Sequence, residues 1–396
     1  MASTAAATRR LITIPFSSYC EQARWALDWC GLAYHESHWL PGFSAAGVYA
    51  AQRGAAALKR ERHGTPAQCT PSGPTAAAAA AEEAGPTQAQ VVVGGRADRA
   101  SSSLSVPVLV DDGCTPPVYL ADSRRVMEFA DAWRVGGRPS LFPAVAAAAV
   151  GEDCSGSGSG GGGGGGSTGS TPGGGGGGGG DDGSHPLPTS VEALVDHFHD
   201  RLGPHARRAG YAGLLPNRDA VVALAQEVGT MRLQAAVLPL LYAPIAAMLR
   251  RLLGLSDKAT ARSMVVVDQV FDQVAERLTQ PVCVTAGTAA QARGGSLAAH
   301  GQEGGVQDQP GAPGAQAQLP RPPSGRFIAG GAFTAADIAF ASLATPVMLV
   351  QEQEGFGSPM LRPADASPEL AATVARLRDH PAGAHALWLF ANMRRP

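Results

Sequence analysis

Residues Leu11 to Leu40 read LITIPFSSYCEQARWALDWCGLAYHESHWL. Leu11-Ile12-Thr13-Ile14 is short, apolar and β-branched, the pattern of a buried strand. Pro15 stops it, and a small polar turn follows at Ser17-Ser18-Tyr19-Cys20. Glu21 to Cys30 then predicts a helix, because Ala23, Ala26, Leu27 and Cys30 recur at steps that put them on one face. Gly31 stands where a helix commonly ends in the left-handed conformation. Leu32-Ala33-Tyr34 opens a second apolar segment, read as the next strand. The turn thus sets a Ser hydroxyl and a Cys thiol at a helix N-terminus. Unpaired backbone N–H groups and the helix dipole favour negative charge there, so it is a place to hold a thiolate.

Working outward, Val106 to Val110 is apolar and bounded by turn residues, a strand pattern. Pro107 near its start conflicts with an ordinary ladder position. A cis Val106–Pro107 bond resolves the conflict and turns the Val106 backbone N–H and C=O outward, toward a peptide-like ligand. Asp111-Asp112-Gly113 signals a hairpin, and Val118-Tyr119-Leu120 is the return strand. Asp122 or Ser123 then caps a helix to about Trp133, with Val126, Met127, Phe129 and Ala130 as its apolar stripe. Those two residues have a capping reading and a binding reading. In the second, spare N–H groups and the Ser hydroxyl take a carboxylate, and Asp122 accepts from an ammonium.

Four segments in this order resemble the glutathione transferase family of the Ser- or Cys-dependent kind. They are Ser17-Ser18-Tyr19-Cys20 with Arg24-Trp25-Ala26-Leu27, Ser105 to Asp112, Leu120 to Phe129, and Phe333-Thr334-Ala335-Ala336-Asp337-Ile338-Ala339. The resemblance implies an α/β thioredoxin-like N-terminal domain over 9–135 and an all-α C-terminal helical bundle over 189–396. It also implies glutathione as co-substrate, a small apolar electrophile as second substrate, and a homodimer. Ser17 would be the catalytic donor to the glutathione sulfur, with Ser18 taking that role if the turn is shifted by one. Val106, Pro107, Asp122 and Ser123 would hold the tripeptide. Cys20 lies three residues after Ser17, so the alternative chemistry is a mixed disulfide with glutathione, as in a thiol transferase or reductase. A third reading keeps the fold and loses the chemistry, leaving a non-catalytic binding or scaffold protein.

Composition bounds the rest. The chain has 396 residues, 51 of them Gly and 30 Pro, and a formal net charge of -2. Near-neutral charge argues against nucleic acid as a partner. Gly- and Ala-rich stretches at about 54–103 and 284–325 read as disordered insertions without their own core, and 136–188 as a Gly-rich linker. The six Cys are scattered with no C-x-x-C pair, so reduced thiols in a cytoplasmic setting are expected and a disulfide framework is not. No metal site is expected: His197 and His199, two apart, point to different sides of their helix.

The helical half begins at Thr189, whose spacing to Glu192 fits a capping box. Val191, Leu194, Val195, Phe198 and Leu202 follow at helical spacing. Pro216 to Leu253 predicts one or two apolar helices broken near Pro239 and Pro244. Its run Leu233 to Leu249 falls short of a membrane span and reads as a core helix. Ser256 caps a helix whose stripe includes Val267, Val270, Phe271, Val274 and Leu278. Thr334 and Asp337 form a capping box, with Phe333 and Ile338 as a hydrophobic staple. A helix starts at Ser367-Pro368, and a last one spans 384–393.

Overall fold

The decisive stretch folds as strand, turn and helix. The computed structural model describes residues 9–50, 68–69, 106–115, 118–143, 186–228, 232–280 and 320–394. Strand β1 (Arg9–Thr13) alternates between two strands of opposite sense. It pairs parallel with β2 (His35–His38) and antiparallel with a strand at Val108–Asp111. The latter is β4, since a short β3 (Gln68–Cys69) precedes it in the chain. Strand β5 (Cys114–Thr115) pairs with β3, and β6 (Val118–Leu120) completes the main sheet in the order β2-β1-β4-β6. Helices α1 (Ser18–Trp29) and α2 (Ser123–Ala132) pack against each other beside this sheet.

Two expectations shift here. The second strand is His35–His38, not Leu32-Ala33-Tyr34. It is a polar edge strand fixed by side chains: Glu36 accepts from Thr13 Oγ1 at 2.5 Å and from Arg24 Nη1 at 2.8 Å. Cys114 is disulfide-bonded, and its cross-strand neighbour in the β3–β5 ladder is Cys69. The reduced-thiol expectation therefore holds for Cys20 and Cys30, which are free, and fails for Cys114.

The later elements are α3 (Val191–His197), a π-helical turn at Phe198–Leu202, α4 (Gly203–Leu214) and α5 (Arg218–Glu227). Then come α6 (Arg232–Leu252), α7 (Asp257–Thr279), α8 (Ala335–Met348), α9 (Pro368–Asp379) and α10 (Pro381–Met393). Helix α8 is apolar almost all round, which suits only a central position. It is buried nearly throughout, and α1, α3, α4, α9 and α10 pack on it. The Thr334–Asp337 capping box forms, and Asp337 Oδ1 also accepts from the Ile328 N–H at 2.9 Å. The start of α3 is capped by Ser190, which accepts from the Ala193 N–H, so the expected Thr189 box gives way to its neighbour.

Helix α6 departs most from expectation. It runs unbroken through Pro239 and Pro244, and much of it is exposed rather than core. Leu233, Leu240 and Leu252 are 74%, 81% and 76% exposed. A surface helix tolerates proline better than a buried one, because water can meet the carbonyls that lose their N–H partners.

The first and last helices are tied together. Glu21 is fully buried and accepts from Arg24 Nε at 2.9 Å and from Arg394 Nε at 2.6 Å. Arg394 also reaches Asp28 at 2.6 Å, and the Trp25 indole N–H donates to the Met393 carbonyl at 3.2 Å. Trp25 and Trp29 both pack on Phe333. All the described residues except Pro186 belong to one compact unit. The expected insertions and linker fall almost wholly outside the described residues.

Candidate functional site

The turn between β1 and α1 is fastened by its backbone. The Ser17 N–H donates to the Ile14 carbonyl at 3.0 Å, and the Ser17 carbonyl accepts from the Glu21 N–H at 2.9 Å. The Pro15 carbonyl accepts from both Arg24 Nη2 at 2.5 Å and Ser358 Oγ at 2.7 Å. Ser17 is the N-cap of α1, yet its side chain makes no capping bond. An N-cap Ser ordinarily closes on the helix's own N–H groups. Here the half-buried hydroxyl lies at the positive end of α1 and bonds the Cys20 thiol, a weak acceptor that a ligand anion could replace.

Sheet register gathers the other expected residues at the same end. Ile12 pairs with Val108, so continuing that ladder sets Val106 opposite Ile14. Leu109 pairs with Leu120, which sets Pro107 opposite Asp122 in the same way. The Val106–Pro107 bond is cis, the arrangement that the family resemblance favoured more than the strand pattern alone. Asp122 caps α2 by accepting from the Arg124 N–H at 2.9 Å, which is the capping reading. The Ser123 hydroxyl, by contrast, is buried without a hydrogen-bond partner, and a buried polar atom of that kind calls for an explanation.

Cys20 behaves differently from the two serines. It is fully buried and accepts from the Ile14 N–H at 3.4 Å. Burial pushes its thiol up to about 11, against the lowering pull of Arg24 and the Ser17 hydroxyl. A thiol so placed is protonated at neutral pH and packs as a small hydrophobe.

Phe16, Ser17 and Ser18 form one wall of a narrow cavity of about 70 Å³. The opposite walls come from α4, α5 and α6, through residues such as Tyr211, Leu224, Leu238, Tyr242 and Ile245. The lining is mostly apolar. The Tyr242 hydroxyl donates to the Leu215 carbonyl at 2.8 Å, and burial raises the pKa of both Tyr211 and Tyr242. Gly210 lets α4 press on α8: a Cβ there would meet the Pro346 carbonyl oxygen at 2.5 Å. A wider depression lies beside Arg24, Asp28, Glu36 and Arg394, whose charges are already paired with one another or with Glu21.

The sequence missed the residues that face this turn from the helical side. Tyr19 stacks edge-on with His199 at 5.6 Å, and His199 bonds Gln22 at 2.9 Å. Burial lowers the His199 pKa. Arg207 lies over the Tyr19 ring at 5.6 Å and lines the cavity. These residues sit around the π-helical turn and α4, which carry no short motif that would have marked them. Among the described residues, no group of three or more His, Cys, Asp or Glu side chains could hold a metal. Comparison with family models, with curated proteins and with solved structures finds no match to this chain.

Proposed function

We propose that the chain is a glutathione transferase-like enzyme that joins the glutathione thiolate to an apolar electrophile. In this reading the mixed sheet with α1 and α2 is the thioredoxin-like part, and the helices from α3 onward form the second domain. The carrying observation is the Ser17 hydroxyl, which is not engaged in capping its own helix and borders an apolar cavity. A thiol needs about 1.4 kcal/mol of preferential stabilisation for each unit its pKa is lowered. A hydroxyl donor and a helix N-terminus together supply stabilisation of that order. The cis Val106–Pro107 bond and the unpartnered Ser123 hydroxyl suit the peptide part of the ligand. The buried, protonated Cys20 argues against chemistry at that thiol.

The test is calorimetric titration of glutathione into the wild type and Ser17→Ala, with chlorodinitrobenzene conjugation measured on both. Binding by both proteins is expected, with conjugation falling roughly a hundredfold or more in the variant, the scale of losing one donor to a developing anion. Absence of binding to wild type at millimolar glutathione would overturn the proposal in favour of a non-catalytic binding or scaffold protein.

A further inference from the structure

Among the described residues that line the cavity beside Ser17, one carries a charge, Arg207. Its guanidinium lies over the Tyr19 ring, and its Nε is buried with no hydrogen-bond partner. Among the described residues no carboxylate is ion-paired with it. The arginines on the other side of α1 differ: Arg24 and Arg394 each hold two carboxylates. The residue is half-buried, and its charge is open to a bound anion because no carboxylate among the described residues holds it at ion-pair distance. Away from the Ser17 and Ser18 end, the wall formed by α6 offers little to a polar ligand. Leu238 and Ile245 present aliphatic surface, and the Tyr242 hydroxyl is already bonded to the protein.

We propose that this cavity takes an apolar molecule bearing a single anionic group, a carboxylate or sulfonate, with the anion on Arg207 and the apolar body against α6. The proposal rests on the reading of the cavity as the second-substrate site and narrows its substrate class. A guanidinium suits such an anion because its planar fork can meet two oxygens at once. Contact of this kind separates charged from neutral analogues of the same shape, since the neutral one leaves the cation unmet.

The test uses dinitrobenzoate and its methyl ester, which share a body and differ in charge, titrated without glutathione. Wild type is expected to prefer the carboxylate by about tenfold or more, the ratio one charged hydrogen-bonded contact supports. In Arg207→Met that preference collapses toward unity. In Arg207→Lys, which keeps the charge and loses the fork, it falls part of the way. If Arg207 only braces Tyr19, both ligands weaken equally and the preference stays, which overturns the proposal. Equal affinity of wild type for acid and ester overturns it too. Should Arg207→Met not fold, Arg207→Lys decides: an unchanged preference is the adverse result. A lasting Arg207-dependent preference without any conjugation would remove the transferase reading and leave the anion site. Conjugation without the preference would do the reverse.

Discussion

Glu36 shows how a polar residue on an edge strand can matter to the whole molecule. Burial alone would raise its carboxyl, but the bond to His38, the Arg24 charge and the Thr13 hydroxyl outweigh it and hold the carboxyl at about 2. The group is more acidic folded than unfolded, so the folded state binds fewer protons. Its contribution is therefore whole above the unfolded pKa of about 4.3 and is lost as pH falls toward the folded value. The size is on the order of 3 kcal/mol. Urea midpoints compared at about pH 6 and about pH 3 should fall in wild type, and fall less steeply in Glu36→Gln. Equal slopes would show that other carboxylates carry the acid sensitivity. The Arg24–Glu21 pair is local, a helical Arg three residues after a Glu, and spacing of that kind is visible in a sequence. Arg207 was not, since its importance comes from the absence of a carboxylate, and no spacing announces that.

Helix α6 carries the sharpest lesson about elements. An apolar run interrupted by two prolines reads as broken core, yet it forms one helix that leaves Leu240 81% exposed. Composition told how apolar the segment is. Its burial depended on how many neighbours the fold supplies, which is a long-range property. Leu240→Lys is expected to change unfolding free energy by no more than about 0.5 kcal/mol, as for other surface positions. A loss of several times that in urea unfolding would mean the residue is covered in solution. Strand β2 failed in the opposite sense: the apolar triplet Leu32-Ala33-Tyr34 drew attention away from His35–His38, which pairs through ladder bonds and side-chain ties. Helices with a clean stripe and a cap, such as α7 with Ser256, were legible because both signals are local.

At the scale of the molecule, three of the four strands of the main sheet and the caps at Asp122 and Thr334 could be read in order, and the resemblance supplied the cis bond. Which distant segments close on them could not. The pairing of Glu21 with Arg394 spans 373 residues, and no pattern in either helix points to the other. That tie also has a consequence in time. Helix α1 is made early, and Arg24 on the same helix can meet Glu21 at once, but the second cation on Glu21 and the acceptor of the Trp25 indole come only when residues 393 and 394 have been synthesised. At translation rates of roughly 5–20 residues per second, the first helix waits about 20–75 s for those distant partners. Nascent chains stalled before residue 381 should be cut by protease within α1, whereas chains extended through residue 394 and clear of the ribosome resist. Protection of α1 in the stalled chains would show that the early half closes without the late one. The N-terminal helix is thus first in the order of synthesis and among the last to be secured.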